Sequence, residues 1–183
     1  MSEPQTVRAL EAGADRGYAS ISAVPPSSLA MPATLHASLL GRLDRLGVPL
    51  ENAHITVNRF AHVTDSKEEG LRFAENARYQ SRLASSLRRR QEVMQGTVLV
   101  DKPFPDEPPL EQIYKNLLIG DVETVAEKLV SEIRATHPVH MCFSFKVGAT
   151  PHNAAMRSME LMMTEVRPRV ERALGSLARE AAE

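Results

Sequence analysis

Residues 119–170 constrain the fold more than any other stretch of this chain. Asp121 stands where it can cap a helix, and Val122, Val125, Ala126, Leu129 and Ile133 then recur at helical spacing. Residues 139–146 follow with Val139, Met141, Phe143 and Phe145 alternating against His140, Cys142, Ser144 and Lys146, which is the period of a strand. After a loop at Gly148, a helix starting near His152 carries Met156, Met159, Met163 and Val166, and Pro168 should kink or divide it. Helix, strand and helix in that order make one unit of a parallel sheet.

The preceding residues repeat the theme. Residues 4–15 read as a helix with Val7, Leu10 and Ala14 on one face, residues 18–24 as a strand, and residues 33–46 as a helix stopped by Gly47. Residues 53–63 form the clearest strand. Ile55, Val57, Ala61 and Val63 share one face with Arg59 among them, and His54, Thr56, Asn58, Phe60 and His62 share the other. Thr64, Asp65 and Ser66 offer caps for a helix expected to reach Val93 with its stripe at Leu71, Ala74, Leu83 and Leu87. Residues 94–109 hold four of the twelve prolines and read as a mobile loop or lid, and residues 110–118 as a short helix. The pattern is α/β with parallel neighbours. Three strands alone leave two edges and much of one face open.

Composition narrows the function classes. The chain of 183 residues has room for one domain. Its formal net charge of −1 favours neither nucleic acid nor an anionic membrane as partner. Arg82 with Arg88, Arg89 and Arg90 is diluted by Glu75 and Glu92 and reads as a solvated helix face. Apolar runs fall short of the roughly 18 residues that a membrane span needs. The first residues carry no secretory signal pattern, and a single cysteine, Cys142, fits a reducing cytoplasm.

Four segments together resemble the C-terminal half of the bacterial luciferase-like flavin-dependent monooxygenases. They are SEPQTVRALEAGADRGYASI (2–21), HITVNRFAHVTDSKEEGLRFAENA (54–77), IGDVETVAEKL (119–129) and VGATPHNAAMRSMELMMTEVRPRV (147–170). The resemblance implies a (β/α)8 TIM barrel, of which this chain supplies strands six to eight with their helices. Val122 replaces the proline usual in the family's third segment. The first five strands would lie before Met1, since a whole barrel takes roughly 250 residues. With them would go most flavin contacts and the family's usual catalytic histidine.

The resemblance also implies a cofactor, reduced flavin, with FMN expected and a deazaflavin as the variant. Ser2 and Thr6 fall at positions similar to those where the family binds the flavin phosphate; the residues themselves read equally as a plain helix cap. Lys146 and Gly148 follow the last strand, at the end of a barrel that carries active-site loops. Lys146 either meets a phosphate or substrate or is a solvated strand end. Arg59 reads as half of a structural ion pair. Cys142 reads as a buried inert thiol, and Met156, Met159 and Met163 as core. The six histidines have no metal-ligand spacing.

Two functions are therefore expected. The first is a cytoplasmic monooxygenase that oxidises a small organic substrate with reduced flavin and O2, alongside a flavin reductase. The second is a noncatalytic half-barrel that forms a homo-oligomer or pairs with the missing barrel half.

Overall fold

In the computed structural model, which describes residues 18–21, 41, 44–45, 54–103 and 107–175, the main sheet is built around one strand of ten residues. That strand, β2 (His54–Val63), pairs near its start with β1 (Tyr18–Ile21). Through residues 56–60 it pairs with β6 (His140–Ser144), and at Ala61, His62 and Val63 with β5 (Leu118–Gly120). All these pairings are parallel. The chain is thus α/β with a parallel sheet, and no closed barrel forms among the described residues.

Alternation along β2 sorts the helices onto two faces. Phe60 packs with Phe73, Ala74 and Ala77 of α1 (Lys67–Arg89) and with Ile113 of α2 (Leu110–Asn116). Ala61 and Val63 pack with Val125, Ala126 and Leu129 of α3 (Val122–Thr136). The same cluster takes Met162 and Val166 from a π-helical segment (Met162–Val166) and Val170 from α5 (Arg167–Leu174). Helices on both sides give the C-terminal half of β2 the double cover that parallel strands need. The expectation of a widely open face is corrected there.

Several elements follow their local signals. Asp121 caps α3 by accepting from the Thr124 N–H at 2.8 Å, and the expected stripe faces the core. The helix expected to be split at Pro168 begins as α4 (His152–Leu161), widens into the π segment and resumes as α5 with the proline in its first turn. The strand expected over 18–24 is described at Tyr18–Ile21. The helix expected over 4–15 lies outside the described residues, and within 33–46 only Gly41, Asp44 and Arg45 are described, all helical.

Other expectations need correction. Helix α1 ends at Arg89, because Arg90 turns left-handed and donates its N–H to the Leu87 and Ser86 carbonyls. Its buried face is Phe73, Ala74, Ala77, Ser81 and Ser85, while Leu87 is exposed. Small side chains there let α2 approach closely. A Cβ on Gly70 would lie 2.7 Å from the Tyr114 ring and 2.8 Å from Ile119. Residues 94–109 contain a short hairpin, β3 (Met94–Gln95) with β4 (Val98–Leu99). Arg82 pairs with Glu107 and Asp101 from this segment, so it is no solvated arginine. Leu118, expected to close a short helix, instead opens strand β5. Cys142 is exposed, and so are Met156, Met159 and Met163 at 46%, 40% and 52%. Their helix turns Ala154, Ala155, Ser158 and Met162 inward instead.

Arg59 forms the expected ion pair. It is 1% exposed, meets Glu132 of α3 at 3.0 Å, and donates to the Asn116 carbonyl at the end of α2. Beside it Lys128 donates to the carbonyls of Leu117 and Ile119 at 2.8 and 2.9 Å and lies over the Tyr114 ring. Burial pushes Lys128 down to about 8, against the pull of Glu132 and with the help of Arg59. Burial likewise raises Glu132, although Arg59 opposes the shift. Glu132→Ala should cost about 3–5 kcal/mol, because it strips the carboxylate from a buried guanidinium. The measurement is the urea midpoint of unfolding. The double replacement Arg59→Met with Glu132→Leu should lose clearly less than the single one.

Candidate functional site

A cavity of about 490 Å³ opens at the C-terminal ends of β2 and β6. Parallel α/β proteins hold their ligands at that end of the sheet, since the loops and helix N-termini gather there. One wall is the first half of α1, with Glu69, Arg72, Phe73 and Asn76; the other is the loop after β6 and the start of α4, with Thr150 and Arg157. His62, the residue before the last of β2, also lines it.

Local sequence builds the first wall. Ser66 caps α1 by accepting from the Glu69 N–H at 3.2 Å, and the Ser66 N–H goes to Thr64 Oγ1, also at 3.2 Å. In a capping box the third-position glutamate would reach back to the cap. Here Thr64 occupies the cap N–H, and Glu69 is left to serve the cavity. It takes His62 Nε2 at 2.9 Å, Arg157 at 2.6 Å and the Thr64 hydroxyl at 3.3 Å. One carboxylate thus joins β2, α1 and α4.

The protonation states follow from this geometry. His62 is 1% exposed and stacks on Phe73 with ring centroids 4.7 Å apart. Burial lowers its pKa, outweighing the hydrogen bond and charge of Glu69, and Arg157 adds to the lowering. Burial alone would raise Glu69, but His62, Arg157 and Thr64 together bring it below its ordinary value. At neutral pH the trio is therefore a neutral imidazole, a carboxylate and a guanidinium. The Nε2–H of His62 donates to Glu69, and Nδ1 has no hydrogen-bond partner among the described residues.

The second wall depends on Gly148, whose φ of +53° is left-handed. An added Cβ there would sit 3.1 Å from Asn76 Cβ. The close approach lets Asn76 Oδ1 accept from the Ala149 N–H at 3.3 Å and Nδ2 reach Thr150 Oγ1 at 3.4 Å. Pro151 precedes α4 as a cap position with no side-chain hydrogen bond, the first turn holds no acidic residue, and Pro151, Asn153 and Ala154 line the cavity.

Of the residues singled out from sequence, Gly148 shapes this loop without lining the cavity. Lys146 is exposed and donates to the Thr150 carbonyl of its own loop. Ser2 and Thr6 lie outside the described residues. The cavity instead gathers His62, Glu69 and Arg157, which the sequence did not single out as a site. The signal for Glu69 was present, a glutamate three residues after a serine cap; nothing local pointed to Arg157, 88 residues away. Among the described residues no group of three His, Cys, Asp or Glu side chains could hold a metal ion. No helix among them is long and apolar enough to cross a membrane.

His62 sets a pH dependence. A histidine whose folded pKa lies below its unfolded value takes up a proton on unfolding, so stability falls as pH drops through the window just under about 6.5. Glu69, also lowered, adds a second loss below the ordinary glutamate range. The urea midpoint should therefore decline as pH is lowered from about 7.5 to about 5.5, and His62→Phe should flatten that decline. An unchanged slope in His62→Phe would show that His62 is not the group responsible.

Comparison with models of known protein families gives no match. The chain is similar to the uncharacterized protein y4vJ of Sinorhizobium fredii (strain NBRC 101917 / NGR234), with 27% identity over 130 residues. The match takes in 70% of this chain and 37% of that protein, so the chain spans little more than a third of its relative's length.

Proposed function

We propose that the chain belongs to a luciferase-like flavin-dependent monooxygenase, as the C-terminal portion of its barrel, and that the cavity at His62, Glu69 and Arg157 is the substrate side of the active site. The observation that carries this reading is where the resembling segments fall. Residues 54–77 and 147–170 resemble the family in sequence, and these two segments form the cavity's walls. The substrate would be a small organic molecule with a polar or acidic group, offered the Arg157 guanidinium, the Asn76 amide and the free N–H groups of α4.

The described residues alone do not fit a flavin. Lys146 is engaged with its own loop, Gly148 does not face the cavity, and Phe73 is the one aromatic wall and is already stacked on His62. What the described residues supply is positioning: Glu69 holds Arg157 at the rim and fixes His62 with its proton on Nε2, while burial keeps that imidazole neutral.

Titration of oxidised and reduced FMN, and of a deazaflavin, against the purified chain tests the reading. Binding should be weak or undetectable, with any dissociation constant above about 1 μM, because each missing charged hydrogen bond costs roughly 1.5–3 kcal/mol. Thr6→Ala should weaken it further. Supplying an N-terminal barrel half as a separate chain should restore binding; no binding even then would remove the flavin reading, and tight submicromolar binding by this chain alone would make it a self-sufficient flavoprotein.

A second reading, a noncatalytic half-barrel that self-associates, is favoured by a different observation: the exposed stripe of Met156, Met159 and Met163.

A further inference from the structure

Among the described residues, strand β6 is hydrogen-bonded on one side only, to β2. A free strand edge offers a row of backbone donors and acceptors to any strand that can lie beside it. The five residues of β6 read alike from either end: polar His140, apolar Met141, Cys142, apolar Phe143, polar Ser144. Met141 and Phe143 line an apolar groove of about 190 Å³ whose other side includes Met163 and Val170. Met163 is also the last residue of the exposed methionine stripe, so groove and stripe are continuous.

We propose that two copies of this chain associate through β6, pairing their free edges antiparallel about a two-fold axis at Cys142. A two-fold contact brings each residue opposite its mirror position in the strand. Centred on Cys142, the ladder sets Met141 against the partner's Phe143, His140 against the partner's Ser144, and Cys142 against the partner's Cys142. Apolar meets apolar, and no like charges face each other. Centred one residue later, His140 would face the partner's Lys146, base against base. The axis at Cys142 also brings the two methionine stripes to the same side of the joined sheet, where they can cover the groove. The inference rests on the self-associating reading and is independent of the flavin.

Cys142 reports on the contact. Opposed residues of an antiparallel ladder have Cα atoms about 4.5–5.5 Å apart, inside the roughly 4.4–6.8 Å that a disulfide spans. The experiment is light scattering on the reduced full chain, followed by brief copper–phenanthroline oxidation in buffer and in urea. A dimer in reducing buffer is expected, with a Cys142–Cys142 cross-link that forms in the native state and not in urea. Cys142→Ser should remain dimeric, and the exposed-site variants Met163→Glu and Met159→Glu should each raise the dimer dissociation constant about tenfold or more while keeping the native circular dichroism. A chain that stays monomeric at about 100 μM overturns both the proposal and the self-associating reading. A dimer that resists the Cys142 cross-link overturns the proposal alone, since the copies would then meet elsewhere.

Discussion

The ion pair between Arg59 and Glu132 is the constraint around which the remaining elements are arranged. Arg59 projects from the middle of β2 on the face covered by α3, and burial of a lone guanidinium there would be prohibitive. Glu132 can meet it only if α3 lies across β2, and the Asn116 carbonyl can meet it only if the short α2 ends beside the strand. Lys128 serves the carbonyls of Leu117, just past that helix, and of Ile119 in β5. Two cations at the negative end of a seven-residue helix suit its dipole. Such a cluster contributes little net stability, since desolvation offsets most of its attraction, but it admits few alternative arrangements of β2, α2 and α3. The strand between them is what carries His62 to the cavity.

Much of this was legible in the sequence where the signal was local. The cap at Asp121, the stripe of α3, the strand over residues 54–63, the ion-pair role of Arg59 and the division of the last helix near Pro168 all follow from a few neighbouring residues. The errors share a different origin. The Leu71–Leu83–Leu87 stripe of α1 failed because α2 packs so near that small residues, not leucines, fit the contact. Strand β5 was missed because three residues carry no period of their own and owe their conformation to β2. Cys142 and the methionines were assigned to a core by residue type, whereas exposure depends on what lies beside β6 and α4.

The cavity illustrates the same limit from the functional side. Each wall can be read by itself: a capped helix start, and a glycine loop running into an uncapped helix. Their meeting cannot, because Glu69 and Arg157 are brought together by the pairing of β2 with β6. The free acidic side chain arises from a small local choice, Thr64 taking the N–H that a capping-box glutamate would otherwise occupy. A single hydroxyl thereby releases a carboxylate to fix the tautomer of His62 and the direction of Arg157. The site chemistry proposed for this chain depends on that substitution of one hydrogen-bond acceptor for another.

The π segment has a consequence for how the last helix lies along the sheet. Ala154, Ser158, Met162, Val166 and Val170 are all buried, each four residues from the next. In a straight α-helix of 3.6 residues per turn, five positions so spaced wind about 160° around the axis, and the last would point away from the first. The wider turn at Met162–Val166 unwinds much of that drift. It keeps one edge of a 23-residue rod, three helical segments end to end, turned toward the protein throughout. The segment therefore works as a phase corrector: the same residues wound as one straight α-helix would rotate everything after Met162 and swing Val170 toward water.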